Sequence, residues 1–157
     1  MAQKKSQKLG SGFRILIVDD HAAIREGLCS LLGREPGFEV SGDVGTIAAA
    51  LDFIRLEPPT VAIIDISIGD ESGLELIRRI RELNDTIRIL AWSMYDDLLY
   101  AERALAAGAM GYINKRERFH KIVDAIRAIK DGDVYLSEPM KNHVLHRGIG
   151  GGSGNEK

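Results

Sequence analysis

One cysteine in 157 residues, Cys29, leaves the chain without the pair that an internal disulfide needs. With no second cysteine and no close histidine it offers no zinc spacing either. That scarcity fits a reducing compartment, so a cytoplasmic location is expected. An excess of basic charge is also lacking: 21 Lys and Arg stand against 23 Asp and Glu, a formal net charge of -2. Proteins that grip nucleic acid through its phosphates carry a basic patch or stripe, so direct nucleic-acid binding by this chain is not expected. Nor is there a long hydrophobic run. Lys4, Lys5 and Lys8 are followed by Gly10, Ser11 and Gly12 rather than by an apolar stretch, which predicts neither a secretion signal nor a membrane span. No repeat recurs at solenoid periods. At roughly 100 to 200 residues per domain, the length allows one domain with tails and excludes a large multidomain enzyme. What is present, 45% apolar and 28% charged residues, suffices for a soluble domain with a core of its own.

Residues 1–12 are polar, cationic and punctuated by glycine, with little to bury against the entropy of ordering a backbone; they are expected as a disordered N-terminal tail. Residues 148–157 hold Gly148, Gly150, Gly151, Gly152 and Gly154 with Ser153 and Asn155, the composition of flexible coil. Between the tails, short β-branched runs alternate with longer segments of helical period. Phe13 to Val18, Phe38 to Ser41, Thr60 to Asp65, Ile87 to Trp92 and Met110 to Ile113 read as five strands. A first helix is predicted from about Ala22, stopped by Pro36-Gly37, and a second over Ile47 to Leu56, ended by Pro58-Pro59. A third follows a capping box of Ser72 and Glu75 and runs to about Leu83. A fourth, capped by Asp96 or Asp97, ends at Gly108. The last runs from about Arg116 to Lys130, with Phe119, Ile122, Val123, Ile126 and Ile129 as one buried stripe closed by Asp131-Gly132.

Strands this apolar must be covered on both faces, and each is followed by a helix. The fold class is therefore α/β, a doubly wound five-stranded parallel sheet with helices on both faces. Ligands of such sheets bind beyond the carboxyl ends of the strands. There stand Asp19 and Asp20 after the first strand, Asp65 at the end of the third, Ser93 after the fourth and Lys115 after the fifth. Three carboxylates brought together repel one another unless a cation neutralises them. A hard divalent ion such as Mg2+, which takes oxygen ligands, suits that need. Lys115 can hold an anion as a point charge, and Ser93 can donate a hydrogen bond to it. The result is a cation-assisted seat for a phosphoryl group with a carboxylate nucleophile at its floor.

Over residues 13 to about 131 the sequence resembles the response-regulator receiver domain of two-component signalling, a flavodoxin-like fold. The resemblance lies in Ile15-Leu-Ile-Val-Asp-Asp-His21, Ile64-Asp-Ile-Ser67, Ser72-Gly73-Leu74, Ile89-Leu-Ala-Trp-Ser93 and Gly108-Ala-Met-Gly-Tyr-Ile-Asn-Lys115. Asp-Asp-His, together with Asp133-Val-Tyr-Leu-Ser137, is similar to the NarL/LuxR-type branch, whose receivers precede a helix-turn-helix module. The resemblance implies that Asp65 is the phosphoacceptor, that Asp20 ligates Mg2+ directly and that Asp19 acts mostly through a metal-bound water. It further implies that the carbonyl of Ser67 completes the metal's protein ligands, that Ser93 and Lys115 hold the phosphoryl group, and that Tyr112 is an aromatic switch. The implied partner is a sensor histidine kinase. The implied response is a phosphorylation-dependent homodimer through the first and fifth helices, with autocatalysed phosphorylation and dephosphorylation rather than enzymatic turnover. On this basis residues 1–12 are a tail, 13–131 the receiver, and 132–157 a linker leading to a helix-turn-helix effector that lies beyond this chain and would supply the contact with DNA.

Some positions depart from the family's usual pattern. Ala22 and Gly69 stand where proline is common, which predicts a looser loop over residues 66–71. Asp70 and Glu71 add negative charge expected to make the site less welcoming to a second anion. A receiver-fold interaction domain that works without phosphorylation is the alternative, against which Asp65, Ser93 and Lys115 all being present speaks. A phosphatase of the haloacid-dehalogenase type would need a second aspartate two residues after its nucleophile, where His21 and Ala22 stand instead. A flavodoxin would need a hydroxyl-rich loop where Asp19-Asp20-His21 would repel phosphate. Taken singly, His21 reads as a helix-start residue, Trp92 as core, Cys29 as an inert residue on an apolar helix, and His120, His143 and His146 as surface groups.

Overall fold

Successive side chains of a strand point to opposite faces, so a strand that is apolar at consecutive positions needs apolar cover on both sides. Phe13–Val18 (β1) shows how that need is met. Its Leu16 and Val18 join one buried cluster, while Ile15 and Ile17 join another on the opposite face. The computed structural model describes residues 13–94, 98–117, 119–143, 145 and 146. After β1 come α1 (Ala22–Gly33), β2 (Phe38–Val44), α2 (Ile47–Leu56), β3 (Val61–Asp65), α3 (Gly73–Leu83), β4 (Arg88–Ser93), α4 (Leu98–Ala107), β5 (Gly111–Asn114) and α5 (Phe119–Lys130). The five strands are parallel in the order β2-β1-β3-β4-β5. Buried residues of α2, α3 and α4 complete the first cluster, and those of α1 and α5 the second. The strand order reverses between β1 and β3, and that switch point opens a crevice at the carboxyl edge.

The doubly wound five-stranded fold expected from the sequence is thus present, with several local differences. Strand β2 continues past Ser41 to Val44, because a register shift opposite Ile15 and Leu16 absorbs the irregularity and lets Gly42, Asp43 and Val44 pair with β1. Gly42 also leaves room for the Phe53 ring, which a Cβ there would strike. The capping box does not form. Ser72 occupies the N-cap of α3 without a side-chain hydrogen bond, and Glu75 receives Arg78 one turn on instead. The segment after β3 is a tight hairpin in which Ser67–Ile68 pairs antiparallel with Glu71–Ser72. Its turn holds Gly69 at φ 57°, a left-handed conformation that proline cannot take. Helix α5 begins at Phe119 rather than near Arg116. Its Ile122, Val123, Ile126 and Ile129 are buried, and Gly132 closes its end at φ 90°. The Phe119 side chain, the Asp96 or Asp97 cap, residues 1–12 and residues 147–157 lie outside the described residues.

Beyond α5 the chain returns to the sheet. Tyr135 donates its N–H to the Met110 carbonyl at 3.0 Å and accepts from the Tyr112 N–H at 3.1 Å, closing part of the β5 edge. Leu136 and Met140 are buried in the same cluster as Tyr112. His143 Nε2 lies 3.4 Å from a Glu102 carboxylate oxygen on α4. Part of the segment expected as a linker is therefore docked on the domain.

Candidate functional site

Four strand ends converge at the carboxyl edge. Asp19 follows β1 and is fully buried. Its Oδ1 accepts the backbone N–H of His21 at 2.8 Å and lies 2.9 Å from His21 Nδ1. His21 is the N-cap of α1, as expected, but it also joins the cluster, with Nδ1 3.3 Å from Asp20 Oδ1. Nothing in its sequence neighbourhood beyond two adjacent aspartates signals that second role. Arg25, one turn into α1, donates to the carbonyl of Asp19 at 2.6 Å and pairs with Asp43 at 2.8 Å, tying the loop after β1 to the end of β2.

Asp65 ends β3, and the N–H of Ser67 donates to its Oδ1 at 3.0 Å. Lys115, just past β5, is anchored by its own N–H to the Ser93 carbonyl at 2.7 Å. Its ammonium lies 2.7 Å from Asp19 Oδ2 and 3.0 Å from Asp65 Oδ2, with the lysine side chain only 3% exposed. Both of those oxygens are buried, and this ammonium is the group that compensates them. Burial pushes the Asp65 carboxyl above its ordinary value and Asp19 adds to the rise, while Lys115 and the Ser67 N–H oppose it. Ser93 is buried at the end of β4. An open cavity of about 270 Å³ above these groups is lined by Asp20, His21, Asp65, Ser67, Gly69 and Lys115, with Met94 at its rim.

The carboxylate oxygens gathered here fit a hard divalent cation, which takes oxygen ligands. Asp19, Asp20, His21 and Asp65 each offer a ligand atom, all within 4.8 Å of one another. Three carboxylates against one ammonium leave two negative charges uncompensated, the charge of one such ion. Glu71, expected to add negative charge near the site, is not among the residues that line this cavity. Its carboxylate turns away to accept the N–H of Ile47 at the start of α2, at 3.4 Å. Tyr112 is fully buried on the α4 side of β5, in the same cluster as Leu136 and Met140. Trp92 is core, as its strand position implies, but its ring also lies beneath the Lys115 ammonium, 5.0 Å from it. No sequence signal marks that contact. Cys29 is half-buried, and its thiol is pushed up by burial and by Asp43. His120 and His146 are exposed.

Residues 15–127 match the response regulator receiver domain family. Among curated proteins, the transcriptional activator protein ExaE of Pseudomonas putida is 33% identical over 142 residues, which is 88% of this chain and 66% of the relative. The DNA-binding transcriptional activator DevR/DosR of Mycobacterium tuberculosis is 34% identical over 118 residues, 75% of this chain and 53% of the relative. The chain thus spans between about half and two thirds of the length of these relatives. Among solved structures, a LuxR-family two-component response regulator from Aurantimonas sp. superposes with a TM-score of 0.80 at 31% identity, over 87% of this chain and 97% of that one. The receiver domain of a NarL regulator from Mycobacterium tuberculosis gives a TM-score of 0.73 at 29% identity, over 78% and 98%. No helix among the described residues is long and apolar enough to cross a membrane.

Proposed function

The chain belongs to the response regulator receiver domain family, and from that membership we propose that it is a phosphorylation-controlled switch in which Asp65 accepts a phosphoryl group from a partner sensor histidine kinase. The observation that carries this reading is the Lys115 ammonium, held at 2.7 and 3.0 Å from Asp19 and Asp65 beneath an open cavity. An oxygen of the Asp65 carboxylate forms a bond to phosphorus as the P–N bond of the donor phosphohistidine breaks, and the imidazole nitrogen leaves with the electron pair. Lys115 pairs with the phosphoryl oxygens as a fixed point charge, and the Ser93 hydroxyl donates to one of them. Asp20, Asp19, Asp65 and the Ser67 carbonyl are the residues to hold Mg2+, which when bound neutralises the carboxylates and the phosphoryl oxygens.

The phosphoryl group carries about -1.5 to -2 in place of the single charge of the Asp65 carboxylate; it draws Ser93 inward, and Tyr112 repacks against α4 and the Leu136–Met140 segment. Moving such an element from 1:99 to 99:1 takes about 5.5 kcal/mol, within reach of several charge-assisted hydrogen bonds at ~1.5 to 3 kcal/mol each. The output is homodimerisation through α1 and α5, with DNA contacted by a helix-turn-helix effector linked beyond this chain, in keeping with relatives described as transcriptional activators.

Intact-mass measurement after incubation with Mg2+ and acetyl phosphate tests the assignment. One phosphoryl group on the wild type and none on Asp65→Asn is the expected result. An equal gain by both proteins would overturn it. No gain by either would favour an interaction domain that works without phosphate.

A further inference from the structure

We propose that Trp92 is the positioning residue for Lys115: its buried ring, 5.0 Å beneath the Lys115 ammonium, keeps that charge over Asp65 while a phosphoryl group is gained. The inference rests on Asp65 being the phosphoacceptor. An ammonium within about 6 Å of an indole face is attracted by the ring's negative quadrupole, and the attraction strengthens as water is removed. Lys115 has lost nearly all its water, with a side chain 3% exposed, and Trp92 is 1% exposed. Two of the ammonium's three donors have carboxylates, Asp19 and Asp65, within reach. The ring supplies an attractive surface in place of the solvent that the ammonium has given up.

The sheet builds this arrangement. Trp92 stands in register with Asp65 on β3 and with Ile113 on β5, two residues before Lys115. Ring, nucleophile and lysine are therefore placed by one continuous ladder of parallel strands. Packing alone does not account for an indole here. Nε1 of Trp92 is buried with no hydrogen-bond partner among the described residues, and an unpaired buried donor is destabilising. Leucine or phenylalanine would fill the same core without that donor. What the indole adds is the most electron-rich face among the side chains.

The chemistry gives the ring its purpose. When Asp65 becomes an acyl phosphate, one of the two carboxylates anchoring Lys115 gives up its charge to the phosphoryl oxygens. The lysine must stay in place through that change and then pair with those oxygens. The attraction of the ring is indifferent to the state of either carboxylate, so it holds the ammonium across the step.

Trp92 is the only tryptophan in the chain, which makes residue-specific fluorination clean. Mono- to tetrafluorotryptophan drains electron density from the ring face with little change in ring size. Two readouts are taken on the full chain. One is the ring-current displacement of the Lys115 ε-methylene protons in metal-free buffer, compared with Trp92→Leu. The other is the rate of aspartyl phosphate formation from acetyl phosphate at saturating Mg2+. The expected result is a displaced lysine resonance in the wild type, lost in Trp92→Leu, and a phosphorylation rate that falls stepwise by roughly tenfold across the series with melting unchanged. A flat rate in a protein that is phosphorylated would overturn the proposal. If the unsubstituted protein gains no phosphoryl group, the phosphoacceptor reading falls instead, and an undisplaced lysine resonance would then overturn the pairing itself.

Discussion

Lys115 sits closer to Asp19, at 2.7 Å, than to Asp65, at 3.0 Å. The lysine therefore serves the carboxylate cluster as a whole and shares it with any divalent ion that binds there. Lys115→Met leaves two buried carboxylates without compensation. A loss of about 3 to 5 kcal/mol is expected in EDTA, the scale for removing one partner of a buried pair. Mg2+ should restore more stability to the variant than it adds to the wild type, because the repelling ammonium is gone. Urea unfolding with EDTA and with excess Mg2+ checks both halves. An equal Mg2+ gain in the two proteins would show that ion and ammonium do not compete.

Gly69 turns the hairpin after β3 at φ 57°. Gly69→Ala should cost about 1 to 2 kcal/mol, the scale for an L-residue in left-handed backbone. Gly69→Pro should cost more, since its ring fixes φ near -65°. Denaturant midpoints of the three proteins give the order, and a proline variant as stable as the wild type would show that the turn readily adopts another form.

Met140 anchors the returning segment in the cluster that holds Tyr112. Truncation by Met140→Ala should destabilise by about 2 to 5 kcal/mol, visible as a lower urea midpoint at unchanged slope. It should also speed amide exchange at Tyr135 and Tyr112, whose N–H groups bond across the β5 edge. Unchanged exchange there would mean that the segment docks without Met140.

Cys29 has its thiol pushed up by burial first and then by the Asp43 carboxylate. A raised thiol holds less thiolate at a given pH, so alkylation near pH 8 should run slower in the folded protein than in the unfolded chain. Asp43→Asn removes the negative charge and should speed the folded reaction. Equal rates for wild type and variant would show that the carboxylate does not act on the sulfur.

Much of the candidate site is legible in the sequence because strand period and parallel crossover are local in origin. Apolar runs ending in Asp19-Asp20, Asp65, Ser93 and, one residue beyond the last, Lys115 must present those residues at one edge once the runs pair in parallel, whatever the details of packing. The hairpin at Gly69, the unformed capping box at Ser72 and the turned carboxylate of Glu71 were not legible. Each depends on which of several available partners a short polar side chain or a turn meets, and those partners come from other elements.

The sequence alone therefore determined the fold class, the edge at which the candidate site lies and the residue types gathered there, since burial on two faces and a two-residue period admit few other solutions. Tertiary structure alone decided the distances: Lys115 nearer Asp19 than Asp65, His21 within the carboxylate cluster, the Trp92 ring beneath the ammonium and Leu136 and Met140 in the cluster of Tyr112. These pairs lie far apart in the chain or on different elements. Their separations follow from how strands and helices settle against one another, to which hydrophobic pattern is blind because it records only which face is buried.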